Sequence, residues 1–296
     1  MKKVVIAGGT GFIGSYLSKR FEESGYKVLI VSRQEGHVSW LPADLKNAVD
    51  GAELVVNLAG KSINCRHTKA NKRALLESRI HTTLLIGKAI ECAENPPKLW
   101  INASASGVYK PSKEMPMTEI NYLIANDFLS ELVQQWEKVF FDFQLSKTRR
   151  IALRTSVVLG KNDGALQPLL LLTRLGLGGK LADGKQMFSW IHIEDYFQVI
   201  LFLLENPLMT GVCNCTSPSP LRNAQLMKSI RETLRIPFGI PAPAFAVTFG
   251  AAIVGIEPSL ILNSSYLLPK YLIDNGFKFR FPQIEEALDQ LVNFEN

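Results

Sequence analysis

Ala7-Gly8-Gly9-Thr10-Gly11-Phe12-Ile13-Gly14 crowds four glycines into eight residues close to the amino terminus. Lys2-Lys3-Val4-Val5-Ile6-Ala7 leads into it, a short β-branched apolar run of the kind that forms a buried strand. After it, Phe12, Ile13, Tyr16, Leu17 and Phe21 recur at helical spacing, and Gly25 closes the helix. Strand, glycine turn and helix together are the context in which such a run binds a dinucleotide. Three of the glycines then serve different ends. Gly8 permits the tight turn, Gly11 lets the backbone approach a pyrophosphate, and Gly14 lets the helix pack closely on the strand. The phosphates would rest on the unpaired N–H groups at the helix start, with Thr10, Phe12 and Ile13 in the same turn.

Working outward, Lys27-Val28-Leu29-Ile30-Val31 reads as the second strand and ends in Ser32-Arg33-Gln34. A carboxylate that binds ribose normally stands at this tip in NAD-specific folds. A hydroxyl and a guanidinium stand there instead, and they suit a 2′-phosphate that a carboxylate would repel. NADP is therefore the expected cofactor. Residues 34–52 read as a polar connection in which Trp40 and Asp44 could wall the adenine. Glu53-Leu54-Val55-Val56-Asn57-Leu58-Ala59-Gly60 gives a third buried strand, and its carboxyl end sets Leu58, Ala59 and Gly60 beside the ligand.

A helix from about Thr68 to Ala93 follows, with Arg79 either reaching the ligand or solvated. The next strand, Lys98 to Ser104, runs into Ser104-Ala105-Ser106-Gly107-Val108-Tyr109 at the sheet end where catalytic side chains are expected. Asp127 caps a helix to about Phe143, and a strand runs from Arg150 to Ser156 and on to Gly160. A glycine-rich loop from Gly176 to Gly184, the block Phe188–Asp195, a helix Tyr196–Glu205, a strand Val212–Thr216 and a helix from about Asn223 to Leu234 complete the main body. The last sixty residues are broken by prolines and carry three short helical stretches. The expected architecture is α/β, a Rossmann-like doubly wound parallel sheet over residues 1–220, with cap elements from about 165, and a small helical C-terminal domain over 221–296.

The 296 residues are 47% hydrophobic and 20% charged, a composition that builds a sizeable core. The net charge of +6 is scattered rather than blocked, which points to a solvated surface and an anionic ligand rather than nucleic acid. No apolar run is long enough to span a bilayer, and no membrane partner is expected. Strand formation from Lys2 leaves no room for a leader, so a soluble, cytoplasmic protein is expected. Cys213 and Cys215 alternate within one strand with no histidine at zinc-ligand spacing, so buried free thiols are expected and no metal.

With these residues placed, the chain resembles the extended short-chain dehydrogenase/reductase superfamily, in its epimerase/dehydratase group and an atypical epimerase-like subfamily. The resemblance spans the chain. It rests on the glycine run, Val31-Ser32-Arg33, Asn57-Leu58-Ala59-Gly60, Glu77-Ser78-Arg79, Ser104 to Tyr109, Arg174 to Gly179, Phe188 to Asp195, Leu268-Pro269-Lys270 and Gly276-Phe277-x-Phe279. It implies an NADP-binding domain in which Ser32 and Arg33 hold the 2′-phosphate, Leu58 and Ala59 line the cofactor, and Arg79 and Val158 touch it.

Dehydrogenases of the superfamily pair a Tyr acid/base with a Lys one helical turn later. The corresponding helix offers Phe128 and Leu132, which move no proton. Tyr109 to Lys113 and Tyr266 to Lys270 repeat the spacing, but a proline interrupts each. The superfamily's usual serine position falls on Ala105. Tyr109, with Ser104 as a hydroxyl partner, is the remaining acid candidate, and His192 reads as a structural tie. The expectation is an NADP-dependent oxidoreductase or epimerase-like protein without the standard pair, acting on a small molecule. The alternative is an NADP(H)-binding sensor, and the oligomeric state stays open.

Overall fold

The computed structural model describes residues 1–161, 163–253, 255 and 257–293. In chain order the first half runs β1 (Lys3–Ala7), α1 (Phe12–Glu23), β2 (Lys27–Val31), α2 (Pro42–Val49), β3 (Leu54–Asn57), α3 (Lys69–Glu91), β4 (Leu99–Ala105), α4 (Phe128–Asp142) and β5 (Arg149–Thr155). The second half runs β6 (Val157–Leu159), α5 (Leu166–Leu172), β7 (Met187–Phe188), β8 (Trp190–His192), α6 (Ile193–Glu205), β9 (Gly211–Cys215), β10 (Leu221–Arg222) and α7 (Asn223–Thr233). Helices α8 (Ala244–Ile253), α9 (Ser259–Leu262), α10 (Lys270–Asp274) and α11 (Ile284–Asn293) follow.

Six strands form one parallel sheet in the order β2-β1-β3-β4-β5-β9. The doubly wound Rossmann-like fold is thus present. Period-two alternation builds its two faces. Val4 and Ile6 of β1 join Val56, Ile101, Leu153 and Cys213 in a core covered by Leu17 and Phe21 of α1 and by Phe197 and Ile200 of α6. Val5 and Ala7 point the other way and join Val55, Trp100 and Ala152 beneath Leu45 and Val49 of α2, Ile86 and Ile90 of α3 and Phe140 of α4. A buried side chain of this size contributes about 1.5–3 kcal/mol, so each face holds its helices on. The strand order reverses at β1, with β2 on one side and β3 on the other, which opens a crevice at the carboxyl ends of β1 and β3.

Three expectations change. Residues 34–52 are not wholly a connection. Pro42 opens α2, which buries Leu45, Ala48 and Val49 at helical spacing. The fifth strand does not continue to Gly160: Ser156 N–H still donates to Cys215 C=O at 3.1 Å, but Val157 N–H turns to Ser189 C=O, and β6 pairs with β8. The last sixty residues carry four described helices rather than three. Leu272 of α10 enters the main core, and Ile284, Leu288 and Leu291 of α11 pack on Leu226, Met227 and Ile230 of α7. Residues 294–296, at the end of the expected C-terminal domain, lie outside the described ones.

Candidate functional site

Two of the three glycines are demanded by the protein's own packing. Gly8 has φ +79°, and a Cβ there would stand 2.9 Å from Ala59 N. A Cβ on Gly14 would stand 2.3 Å from Gly8 O and 2.7 Å from Gly9 Cα. Gly11 differs, since the nearest atom to its Cβ would be Gly8 O at 3.6 Å. Packing alone leaves room for a side chain at Gly11, so its lack of one keeps the outer side of the turn open. Gly11 is also the N-cap of α1, with no side-chain cap and no acid in the first turn. Thr10 and Gly11 are exposed, and Phe12 and Ile13 are half-buried. This is a cradle open to an anion.

Around the turn the structure gathers most of the expected cofactor residues. Gly8 N–H donates to Val31 C=O at 3.0 Å, tying the turn to the end of β2 just before Ser32. Leu58 N–H donates to Ala7 C=O at 2.8 Å, and Asn57 Oδ1 accepts from Ala59 N–H at 3.1 Å. Asn57 is fully buried and donates to Asn102 Oδ1 at 2.7 Å, so it fixes the floor from below. Gly60 faces Arg79, whose Cγ a Cβ would meet at 3.2 Å. Arg79 donates to Leu75 C=O at 3.0 Å and lies 5.2 Å over the Trp136 ring. Burial pulls its guanidinium down to about 10, and no carboxylate pairs with it among the described residues. Val158 is buried in the core on the α1 side of the sheet. The loop after it folds back on α1: Phe12 Cζ lies where a Cβ on Gly160 would come within 2.5 Å.

At the tip of β2, Ser32 is buried and Arg33 is exposed with no ion pair among the described residues. Ser32 Oγ accepts from Gln34 N–H at 3.0 Å and lies 2.8 Å from His37 Nδ1. Asp44 is turned away, taken up by the Ser39 hydroxyl at 2.5 Å.

The expected acid candidates stand together in a closed polar chain at the carboxyl ends of β4, β5 and β9. Ser104, Arg154 and Asn214 are cross-strand neighbours. Ser104 Oγ donates to Glu137 Oε1 of α4 at 2.6 Å. Arg154 grips Glu137 with Nε at 2.8 Å and Nη2 at 2.7 Å. Its Nη1 donates to Tyr109 Oη at 3.0 Å, and Tyr109 in turn donates to Asn214 Oδ1 at 2.7 Å. Burial alone would lower Arg154, but its bonds to Glu137 outweigh that and hold it above its ordinary value. Burial pushes the Tyr109 phenol up to about 12, against the pull of Arg154. Arg154 and Glu137 escaped sequence reasoning because their pairing spans two elements. The alternation in Ile151-Ala152-Leu153-Arg154 could have flagged a charge inside an apolar strand.

Helix α4 begins where expected, with the Asp127 carboxylate accepting from Ser130 N–H at 3.0 Å. Phe128 and Leu132 sit on its first turns. The His67 ring lies 5.5 Å from Phe128 and the Lys72 ammonium 5.0 Å over it. Tyr266 belongs to the segment before α10 and not to this site. His192 caps α6, accepting from Glu194 N–H at 3.0 Å on Nδ1 and meeting Gln290 Oε1 at 3.0 Å through Nε2. Burial pulls its ring down to about 4. Cys213 and Cys215 are free and buried, and burial raises both thiols.

Comparison with known proteins agrees with this geometry. A model of the NAD dependent epimerase/dehydratase family matches residues 4–212. The chain belongs to that family. A domain of unknown function (DUF1731) matches residues 242–291. An epimerase family protein of Staphylococcus epidermidis is 33% identical over 300 residues, covering 99% of both chains. The crystal structure of the human epimerase family protein SDR39U1 (isoform 2), solved with NADPH, matches at TM-score 0.89 and 33% identity, covering 98% of each chain. A nucleoside-diphosphate sugar epimerase from Corynebacterium glutamicum matches at TM-score 0.77 and 26% identity, covering 97% of this chain and 57% of that one. No helix among the described residues is long and apolar enough to cross a membrane.

Proposed function

We propose that this member of the family binds NADP(H) and acts as an oxidoreductase-like protein that does without the Tyr–Lys pair. In this reading Gly8, Thr10, Gly11, Phe12, Ile13 and Gly14 carry the pyrophosphate on backbone N–H groups. Ser32 and Arg33 take the 2′-phosphate, Leu58, Ala59 and Gly60 line the cofactor, and Arg79 and Val158 contact it. The single observation that carries the reading is the exposed Arg33 guanidinium at the end of β2, without an ion pair among the described residues, beside a buried Ser32 where a ribose-binding carboxylate would otherwise stand. The NADPH in the human relative's crystal structure supports it. Bound NADPH would supply a hydride, and bound NADP+ would accept one. The chain's own residues hold and orient it and, through the buried floor at Asn57, keep water from one side.

For the proton, Tyr109 with Ser104 is the proposed source. A specific observation favours the second reading, an NADP(H) sensor without turnover. The Tyr109 hydroxyl already accepts from Arg154 and donates to Asn214, and the Ser104 hydroxyl is committed to Glu137. The experiment that separates them follows NADPH absorbance over a panel of aldehydes, ketones and enones, with Tyr109→Phe run alongside. Turnover lost in Tyr109→Phe supports Tyr109 as the acid. Turnover that survives the substitution removes Tyr109 from the chemistry, and micromolar NADPH binding with no turnover across the panel favours the sensor.

A further inference from the structure

We propose that His37 sets the preference for a 2′-phosphate by deciding which way the Ser32 hydroxyl donates; the inference rests on the NADP(H) reading above. After Ser32 the chain turns back at Gly36, where φ is +82°. Val38 N–H donates to Ile30 C=O at 2.9 Å and Ser32 N–H to Val38 C=O at 3.2 Å. This narrow return sets the His37 imidazole against Ser32, with Nδ1 2.8 Å from Oγ, while Gln34 N–H holds the same oxygen at 3.0 Å.

A hydroxyl has one proton to give and two lone pairs to offer. Gln34 takes one lone pair. A proton on His37 Nδ1 takes the other, so the Ser32 proton is free to point outward. A bare Nδ1 takes the Ser32 proton instead, and Ser32 then offers only an acceptor. A phosphate presents acceptor oxygens alone, whereas a ribose hydroxyl can donate as well as accept. The Nδ1-protonated ring therefore lets Ser32 donate to a 2′-phosphate, whereas the bare ring leaves Ser32 an acceptor that only a 2′-hydroxyl can satisfy. Among the described residues no carboxylate forms an ion pair with His37 or Arg33. His37 is a positioning residue: it acts through Ser32.

The test uses the full chain with NADP+ and NAD+ as probes. Binding is measured by calorimetry for the native chain, His37→Phe and His37→Asn. The His37 Nδ1 signal is followed by nitrogen NMR, assigned among the four histidines. The expected result is a loss of about tenfold in NADP+ affinity in His37→Phe, the scale of one hydrogen bond to a charged group. NAD+ affinity should stay within about twofold, and His37→Asn, which keeps a donor near the Nδ1 position, should recover most of the loss. In the native chain the Nδ1 signal should move to the protonated position with NADP+ and not with NAD+. An NADP+ affinity left unchanged in His37→Phe overturns the inference alone, as does an equal loss for both ligands or an Nδ1 signal that ignores the 2′-phosphate. A native chain with no preference for NADP+ overturns the NADP(H) reading, and the inference with it.

Discussion

The glycine turn after β1 and the polar chain across β4, β5 and β9 stand at the same edge of one sheet and treat their polar groups in opposite ways. At the turn, among the described residues, the first N–H groups of α1 have no side-chain cap, the exposed Arg33 has no ion pair, and the half-buried Arg79 has a backbone carbonyl and an aromatic ring but no carboxylate. Across the other strands, Ser104, Glu137, Arg154, Tyr109 and Asn214 satisfy one another. Buried polar groups left without partners are costly. Across β4, β5 and β9 that cost is avoided by mutual pairing, whereas the turn leaves exposed N–H groups and cations without an acid among the described residues, which is the arrangement the proposed NADP(H) reading requires. The difference separates a cradle built to be filled from a joint built to hold.

The joint is where substitution should hurt stability most. Arg154→Met leaves Glu137 buried beside Ser104 with no cation, and a loss of about 3–5 kcal/mol is expected in denaturant unfolding. Adding Glu137→Leu should return much of it, because the second change removes the stranded charge. If the single substitution is nearly silent, the polar chain is not the joint described here.

The pH dependence of stability should follow His192. Its ring is held neutral in the folded chain at about 4, while a free histidine titrates near 6.5. Between these values the unfolded state binds the extra proton, so stability is highest above pH 6.5 and falls as pH drops toward 4. The difference amounts to roughly 3 kcal/mol. Unfolding midpoints measured against pH should show this fall flattened in His192→Asn, which keeps an acceptor for the N-cap of α6. Equal slopes in the two proteins would contradict the placement of a neutral ring there.

The turn itself should show smaller but more selective effects. Gly14→Ala pushes a methyl into Gly8 O and Gly9 Cα, which is backbone that cannot swing aside. About 1–3 kcal/mol of strain is expected, read as a lower melting point together with weakened NADPH binding. Gly11→Ala meets nothing closer than 3.6 Å, so the fold should keep its stability while NADPH binding weakens. A pair of variants equal in both readouts would erase the distinction between the two glycines. Arg33→Ala should weaken NADPH by about tenfold and leave NADH unchanged, in keeping with one charge-assisted contact.

Much of the comparison was legible in the chain, and the reasons are local. The glycine turn declares itself because strand, turn and helix are contiguous, and β1 to β5 show themselves as apolar runs ending in polar or glycine residues. Asp127 is a correct helix start because a cap acts within three residues. What stayed hidden depends on partners far along the chain. Pro42 and the Leu45, Ala48 and Val49 stripe of α2 were obscured by the polar and charged residues between them. The bend at Ser156 is set by Cys215 and Ser189, not by any local breaker. Arg154 finds Glu137 and Tyr109 only after β5, α4 and the segment after β4 have assembled, and His37 reaches Ser32 only through the return at Gly36.

Titration of NADPH and NADH into the pure protein, followed by calorimetry, reads the open cradle without intermediaries. An open cradle with a hydroxyl and an unpaired guanidinium at the tip of β2 predicts saturable binding of NADPH, at least tenfold tighter than NADH. Equal affinity for the two, a preference for NADH, or no binding of either would contradict it.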